Sequence, residues 1–217
     1  KACPFLYKKG HEVTALSRSF CRYTEAINII KSDNYLNIFS LDNPPIGIEC
    51  IVHLAGKAHI RRRMNSKYSL KFIKDTVEET LTFAAQCAAA SVRRFVFISS
   101  IKVNGELTIG SSCFDETNIA KPNDAYSISK YQIELGLLKI AEETGMEVVI
   151  IRPPLMYGEG VKGYFKTILK LAKRKIPLPF GSITNNRRSF IYLENFLDLL
   201  NIVINHKNAA NKIFNCS

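Results

Sequence analysis

The sequence predicts an α/β chain built around a parallel sheet with helices on both faces. Three observations carry that expectation. Short apolar, β-branched runs alternate with longer helical stretches along the whole chain. The runs "IECIVHLAG" (48–56) and "MEVVIIRPP" (146–154) are continuously apolar, as strands buried on both faces are. At 217 residues, 47% of them hydrophobic, the chain is long enough to bury a substantial core.

Each element has its own signal. "FLYKKG" closes a helix that is already under way at residue 1, so the sequence reads as entering an element part-way, and "EVTALS" (12–17) follows as a strand. The strand at 48–56 leads to a long helix over 69–90, then to the strand "RRFVFISS" (93–100). "AYSISKYQIELGLLKIAEETG" (125–145) is an amphipathic helix stopped by Gly145, and the strand after it is ended by Pro153 and Pro154. From 155 the texture changes. The helices "YFKTILKLAKR" and "LENFLDLLNIVIN" and the short strands "IPLPF" and "RSFIYL" are too little for an independent domain. The expected division is a sheet domain at 1–154 and part of a smaller lobe at 155–217.

Composition removes several classes of function. No apolar run approaches the ~20 residues that span a bilayer, and the start lacks the features of a signal peptide. The six cysteines (Cys3, Cys21, Cys50, Cys87, Cys113, Cys216) form no C-x-x-C pair and read as buried thiols of a reducing cytoplasm. The four histidines show no metal-ligand spacing. A net charge of +11, concentrated at 59–67, 170–175 and 185–189, suits polyanions. Without aromatics interleaved among those basic residues, it reads as a solvated face or a site for a phosphorylated small molecule, and not as a nucleic-acid module.

The chemistry concentrates at three strand ends, because ligands of open α/β sheets sit outside the carboxyl ends of the strands. The strand 48–56 ends "HLAG", small residues that let a flat ligand approach the backbone. The strand 93–100 ends in two serines, and 146–152 ends at Pro153 and Pro154. In "AYSISK", Tyr126 and Lys130 lie one helical turn apart and so share a face. A tyrosine of pKa ~10 is a poor base at neutral pH. An adjacent ammonium favours its phenolate and makes it a usable acid or base, while a serine hydroxyl nearby orients a substrate hydroxyl. With hydride passed to a nicotinamide, such a set interconverts an alcohol and a ketone.

The motifs "VHLAG", "RRFVFISSIKVNGE", "AYSISK" and "VVIIRPPLMYGEG", in that order and spacing, resemble the extended short-chain dehydrogenase/reductases, and within them the NAD-dependent epimerase/dehydratase family. The resemblance implies a Rossmann-like doubly wound sheet with a partial substrate lobe, and a cytoplasmic enzyme. It implies that Ser100, Tyr126 and Lys130 are catalytic and that Lys130 also holds the nicotinamide ribose. Leu54, Ala55, Gly56, Ser99 and Pro153 would line an NAD or NADP cofactor, and Arg188 in "NNRRSFIYLEN" would grip the diphosphate of a UDP-sugar. It further implies a homodimer through the helices at 69–90 and 125–145, and a role in surface-polysaccharide synthesis on UDP-hexoses or UDP-N-acetylhexosamines. A 4-epimerase leads, with a reductase of UDP-4-keto-6-deoxy sugars or a non-catalytic remnant as alternatives.

The sequence departs from the family pattern at several points. The family's first strand and its turn G-x-x-G-x-x-G are absent, which would leave a break in the sheet between the strands at 12–17 and 48–56. After the strand 12–17 stand Ser17 and Arg18, where relatives often carry an acid; an arginine attracts the 2′-phosphate of NADP. Phe39-Ser40, Thr76 and Tyr164 occupy further positions where relatives carry other residues.

Overall fold

In chain order the elements are α1 (Ala2–Lys8), β1 (Thr14–Ser17), β2 (Asn28–Lys31), β3 (Cys50–His53), α2 (Ser66–Ala89), β4 (Arg94–Ile98), α3 (Ala125–Thr144), β5 (Glu147–Arg152), β6 (Leu155–Tyr157), α4 (Tyr164–Lys173), β7 (Phe190–Tyr192), α5 (Leu193–Asn205) and β8 (Lys212–Asn215). The computed structural model describes residues 1–17, 27–40, 45–56, 66–108, 112–160, 164–174 and 186–216, with the side chains at 37, 40, 66, 67, 164, 165, 168 and 169 set aside. Arg18, most of the basic stretch 59–67 and the expected strand "IPLPF" lie outside the described residues.

Strands β3, β4, β5 and β8 form one sheet in that order, each pair parallel. The alternation of side chains along a strand divides the core in two. Phe95, Phe97, Val148 and Ile150 face Phe83 and Cys87 of α2 and Ile133 and Leu137 of α3. Val96, Val149 and Ile151 point the other way, onto Leu6 of α1 and Leu197, Leu200 and Val203 of α5. This double burial is what the continuous apolar runs encode, and each large side chain so enclosed contributes about 1.5–3 kcal/mol. Helices α2 and α3 pack closely at Gly136, where a Cβ would meet Leu81 Cδ1 at 2.4 Å.

The expected break in the sheet is present. Strand β1 pairs in parallel with β2, Thr14 opposite Asn28 through Ser17 opposite Lys31, in a two-stranded sheet separate from β3. Leu16 and Ile30 pack against the α2–α3 side of the core, so these strands are held by side chains. Strands β2 and β8 were not expected, since "NIIK" and "KIFN" are too short to signal on their own.

Residues 155–217, expected as one partial lobe, divide. β6 pairs with β7 in a small parallel sheet of its own. By contrast, α5 buries Phe196, Leu197, Leu200, Val203 and Ile204 on the main sheet, and β8 extends that sheet beside β5. The cause is the apolar face of "LENFLDLLNIVIN", which finds its partner surface on β4 and β5. Among the five described cysteines, Cys87 is buried and Cys113 exposed, so burial of the thiols is not general. Among the described residues no helix is long and apolar enough to cross a membrane.

Helix α3 begins with a capping box. Asp124 accepts from Ser127 N at 2.7 Å, and Ser127 Oγ accepts from Asp124 N at 3.1 Å. It ends at Gly145 in the left-handed conformation, φ 75°. Asp124→Ala removes the cap and the ion pair from Lys102. The expected cost is about 1 kcal/mol, read as a fall of about 2–4 °C in melting temperature.

Candidate active site

Three strand ends and the head of α3 converge. Ser99 N donates to Ile151 O at 2.7 Å and Ile101 N to Pro153 O at 3.1 Å, which ties the ends of β4 and β5 together. Lys130 enters from α3. It is buried, and its Nζ donates to Ile98 O at 2.7 Å and lies 4.4 Å from the Phe97 ring centroid. Gly56, beyond β3, completes the edge, since a Cβ built on it would lie 3.7 Å from Lys130 Nζ. Residues 54–56 are exposed, Leu54 by 52%. Tyr126 sits one turn before Lys130, its ring centroid 5.8 Å from Lys130 Nζ.

Most of the sequence-expected residues thus gather along one edge. Ser99 is buried, and its hydroxyl donates to Glu134 Oε1 at 2.5 Å. Ser100, half-buried, caps the short 3-10 turn Ile101–Val103, its Oγ accepting from Lys102 N at 3.3 Å. Pro153 is buried beside them. Arg188 is not among the gathered residues. It is exposed in the extended segment before β7, two residues ahead of Phe190, which pairs with Leu155.

The electrostatics differ from the sequence expectation. The phenol of Tyr126 is raised above its ordinary value, first by burial and then by the Asp124 carboxylate. An adjacent ammonium was expected to lower it, but Lys130 is turned toward Ile98 O. Burial pushes Lys130 down to about 8, with Glu134 opposing. The edge therefore holds a phenol that keeps its proton and an ammonium that gives one up more readily than an ordinary lysine.

Several residues of this edge went unnoticed in the sequence. Glu134 lies two turns after Tyr126 on the same face of α3, and Arg152 is a charge inside the apolar run "VVIIRPP". Both spacings were legible. His53 was visible only as part of "HLAG". It is 6% exposed, its ring stacks near Phe95 and Phe97 at 5.8 and 5.9 Å, and neither ring nitrogen has a partner among the described residues.

Burial first, and the Lys130 ammonium second, push His53 down to about 4. The folded state therefore holds a neutral imidazole that the unfolded chain protonates near pH 6.5. That contribution is whole above pH 6.5 and is lost as pH falls toward 4, an amount of about 3 kcal/mol. His53→Leu is expected to keep the melting temperature at pH 7 and to flatten its decline between pH 6.5 and 4. Melting curves across that range give the answer, and an unchanged decline would assign it to other groups.

A hydroxyl at the end of a central strand, with a tyrosine and a lysine one turn apart at the head of the next helix, defines a class. By fold it is that of the Rossmann-type α/β chains with a polar edge at the carboxyl ends of the strands. The chain belongs to the NAD dependent epimerase/dehydratase family, which it matches over residues 1–217. It is 41% identical over 164 residues to a UDP-glucose 4-epimerase of Vibrio cholerae, an alignment covering 76% of this chain and 50% of that protein. The chain therefore spans about half the length of that relative. The UDP-glucose 4-epimerase of Thermotoga maritima, solved with UDP-glucose, superposes with a TM-score of 0.78 at 22% identity, over 99% of this chain and 72% of that one. A UDP-glucuronic acid 4-epimerase from Bacillus cereus, solved with UDP-glucuronic acid and NAD, gives 0.79 at 18%, again over 99% and 72%. At these identities the structural likeness is one of fold.

The described residues fit one half of a dinucleotide. The exposed segment 54–56 offers a flat approach, and Lys130 beside Gly56 has N–H groups beyond its bond to Ile98 O with which it could meet a ribose diol. The sequence contains no G-x-x-G-x-x-G turn for the pyrophosphate.

Proposed function

We propose that this chain carries the reacting edge of an NAD-dependent sugar-nucleotide 4-epimerase acting on a UDP-hexose or UDP-N-acetylhexosamine. One observation carries the reading: Lys130, beside Tyr126, reaches the carbonyl at the end of β4, two residues before Ser100, and lies next to Gly56 of the exposed 54–56 segment. A nicotinamide, when bound, supplies the hydride acceptor and donor. The protein's part is positional and protonic. Leu54, Ala55, Gly56, Ser99 and Pro153 form the wall on which the cofactor lies, and Lys130 grips its ribose. Ser100 releases the Lys102 N–H and takes the sugar hydroxyl, holding its oxygen toward Tyr126. Tyr126 removes the proton from that oxygen and later returns it.

Lys130 makes this workable. In turning from Ile98 O toward the ribose and the phenol, it brings positive charge to the tyrosine and offsets the rise that burial and Asp124 impose. Arg188, exposed ahead of β7, is assigned to the substrate diphosphate, for which a guanidinium fork is suited. Arg18 bears on the choice between NAD and NADP. Supporting a homodimer, Leu70 on α2 and Leu135 on α3 stand exposed by 69% and 51% on the helices that would meet.

Fluorescence titration of the protein with NADH and NADPH tests the reading, followed by assays with UDP-glucose, UDP-galactose and UDP-N-acetylglucosamine. Binding of NADH in the micromolar range and interconversion of one sugar pair are expected. A folded protein that binds neither dinucleotide overturns the proposal.

A further inference from the structure

Beneath the reacting edge runs a fully buried polar chain. Glu134 is 1% exposed and Arg152 3%. Arg152 Nε donates to Glu134 Oε1 at 3.0 Å and Nη2 to Oε2 at 2.5 Å, a two-pronged pair. The carboxylate also accepts from Ser99 Oγ. On the other side, Arg152 Nη1 donates to Asn104 Oδ1 at 3.1 Å, and Asn104 Nδ2 to Asp115 O at 3.1 Å. Four side chains thus join α3, the ends of β4 and β5, the turn after β4, and the loop at 115.

Stability does not call for such a construction. Two charges removed from water recover little more than their desolvation cost, and a well-packed apolar pair of equal volume often serves as well or better. What an apolar pair does not supply is direction and charge. The fork fixes the height of α3 against β4 and β5, and therefore the position of Lys130, one turn before Glu134. The serine hydroxyl, committed to Glu134, is left with its lone pairs to offer the crevice. The carboxylate is also the anion that offsets the burial of the Lys130 ammonium.

We infer that Glu134 and Arg152 are positioning residues, a buried clamp that fixes α3 in register with the ends of β4 and β5 and keeps an anion one turn behind Lys130. The clamp rests on the reading that Lys130 and Tyr126 are the working pair. Lys130 is faced by His53 from β3, by the Phe97 ring and Ile98 O from β4, and by Tyr126 and Glu134 from its own helix, with Arg152 of β5 behind Glu134. Among these, Glu134 is the anion on which the lysine's charge depends.

The test separates charge, geometry and mere packing. Glu134→Gln/Arg152→Met replaces both charges of the fork together, so that neither is left buried without the other. Its melting temperature is expected to stay within a few degrees of the parent. NMR titration of 13C-labelled lysines, with Lys130→Met assigning the resonance, is expected to show the Lys130 midpoint lowered by about one pH unit, a tenfold loss of proton affinity. The Kd for NADH should rise by roughly tenfold as the ammonium loses both charge and place. A folded double variant with the parental Lys130 midpoint and NADH affinity would overturn the clamp.

Glu134→Asp is the second variant, should the first not fold. It keeps the charge but draws the carboxylate back by one methylene. The Lys130 midpoint should hold while the NADH Kd rises several-fold, and an unchanged Kd would count against the clamp. If the parent protein itself binds no NADH, the proposed function fails, and the Lys130 midpoint of the double variant still decides whether the clamp exists.

Discussion

Tyr126→Phe is expected to lower kcat with the sugar nucleotide by about 10²–10⁴, the range over which a positioned acid or base acts. Dinucleotide affinity should be retained. The substitution removes one hydroxyl and leaves the ring, so the packing around Lys130, 5.8 Å from that ring centroid, persists. Its pH dependence follows from burial. The phenol is raised above its ordinary value by burial and by Asp124, so the base form is scarce at neutral pH. Oxidation of the sugar hydroxyl, which needs the phenolate, should therefore climb with pH through the neutral range. Steady-state assays of parent and variant between pH 6 and 9 read both effects. A variant keeping more than about a tenth of the parental kcat would remove Tyr126 from the proton path.

The sequence made the sheet legible because burial on two faces leaves a plain mark. Runs such as "FVFI" and "VVII" have no polar face to turn to water, and they became β4 and β5 with helices on either side. Strands β2 and β8 were hidden for the opposite reason: four residues, none of them buried, carry no period. The candidate site was legible in the sequence where chemistry and spacing coincide, at Ser100, Tyr126 and Lys130, whose roles the proposed assays test. Glu134 and Arg152 escaped although their spacing was on view, because a glutamate on a helix usually faces water. Only the fold reveals that this one is 1% exposed and meets an arginine from a strand. The direction of the Tyr126 pKa was misread for a related reason. Sequence places Lys130 beside the tyrosine, but in the structure its Nζ donates to the carbonyl of Ile98.

Arg94→Ala should give the largest loss of stability, about 3–5 kcal/mol, and a fall in melting temperature on the order of 10 °C. Arg94 is 1% exposed at the start of β4, the end of the strand opposite the reacting edge. Its Nη1 donates to the carbonyls of Val203, Ile204 and His206 at 2.5, 2.9 and 3.1 Å. A further bond of 2.7 Å runs from Nε to Glu147 Oε2. Helix α5 leaves its last carbonyls without partners in the helix, and the guanidinium both satisfies them and meets the negative end of the dipole. Alanine strands the buried carbonyl of Val203, leaves that of Ile204 with Arg93 and that of His206 with Ala209 N, and leaves Glu147 with Arg93, itself 40% exposed. Arg94→Lys, one point donor in place of a fork, should fall between the two. Because the damage lies at the far end of β4, kcat measured well below the lowered melting temperature should match the parent. A variant that melts normally would show that α5 is held by its apolar face alone. One that loses kcat while still folded would mean that the two ends of β4 are coupled.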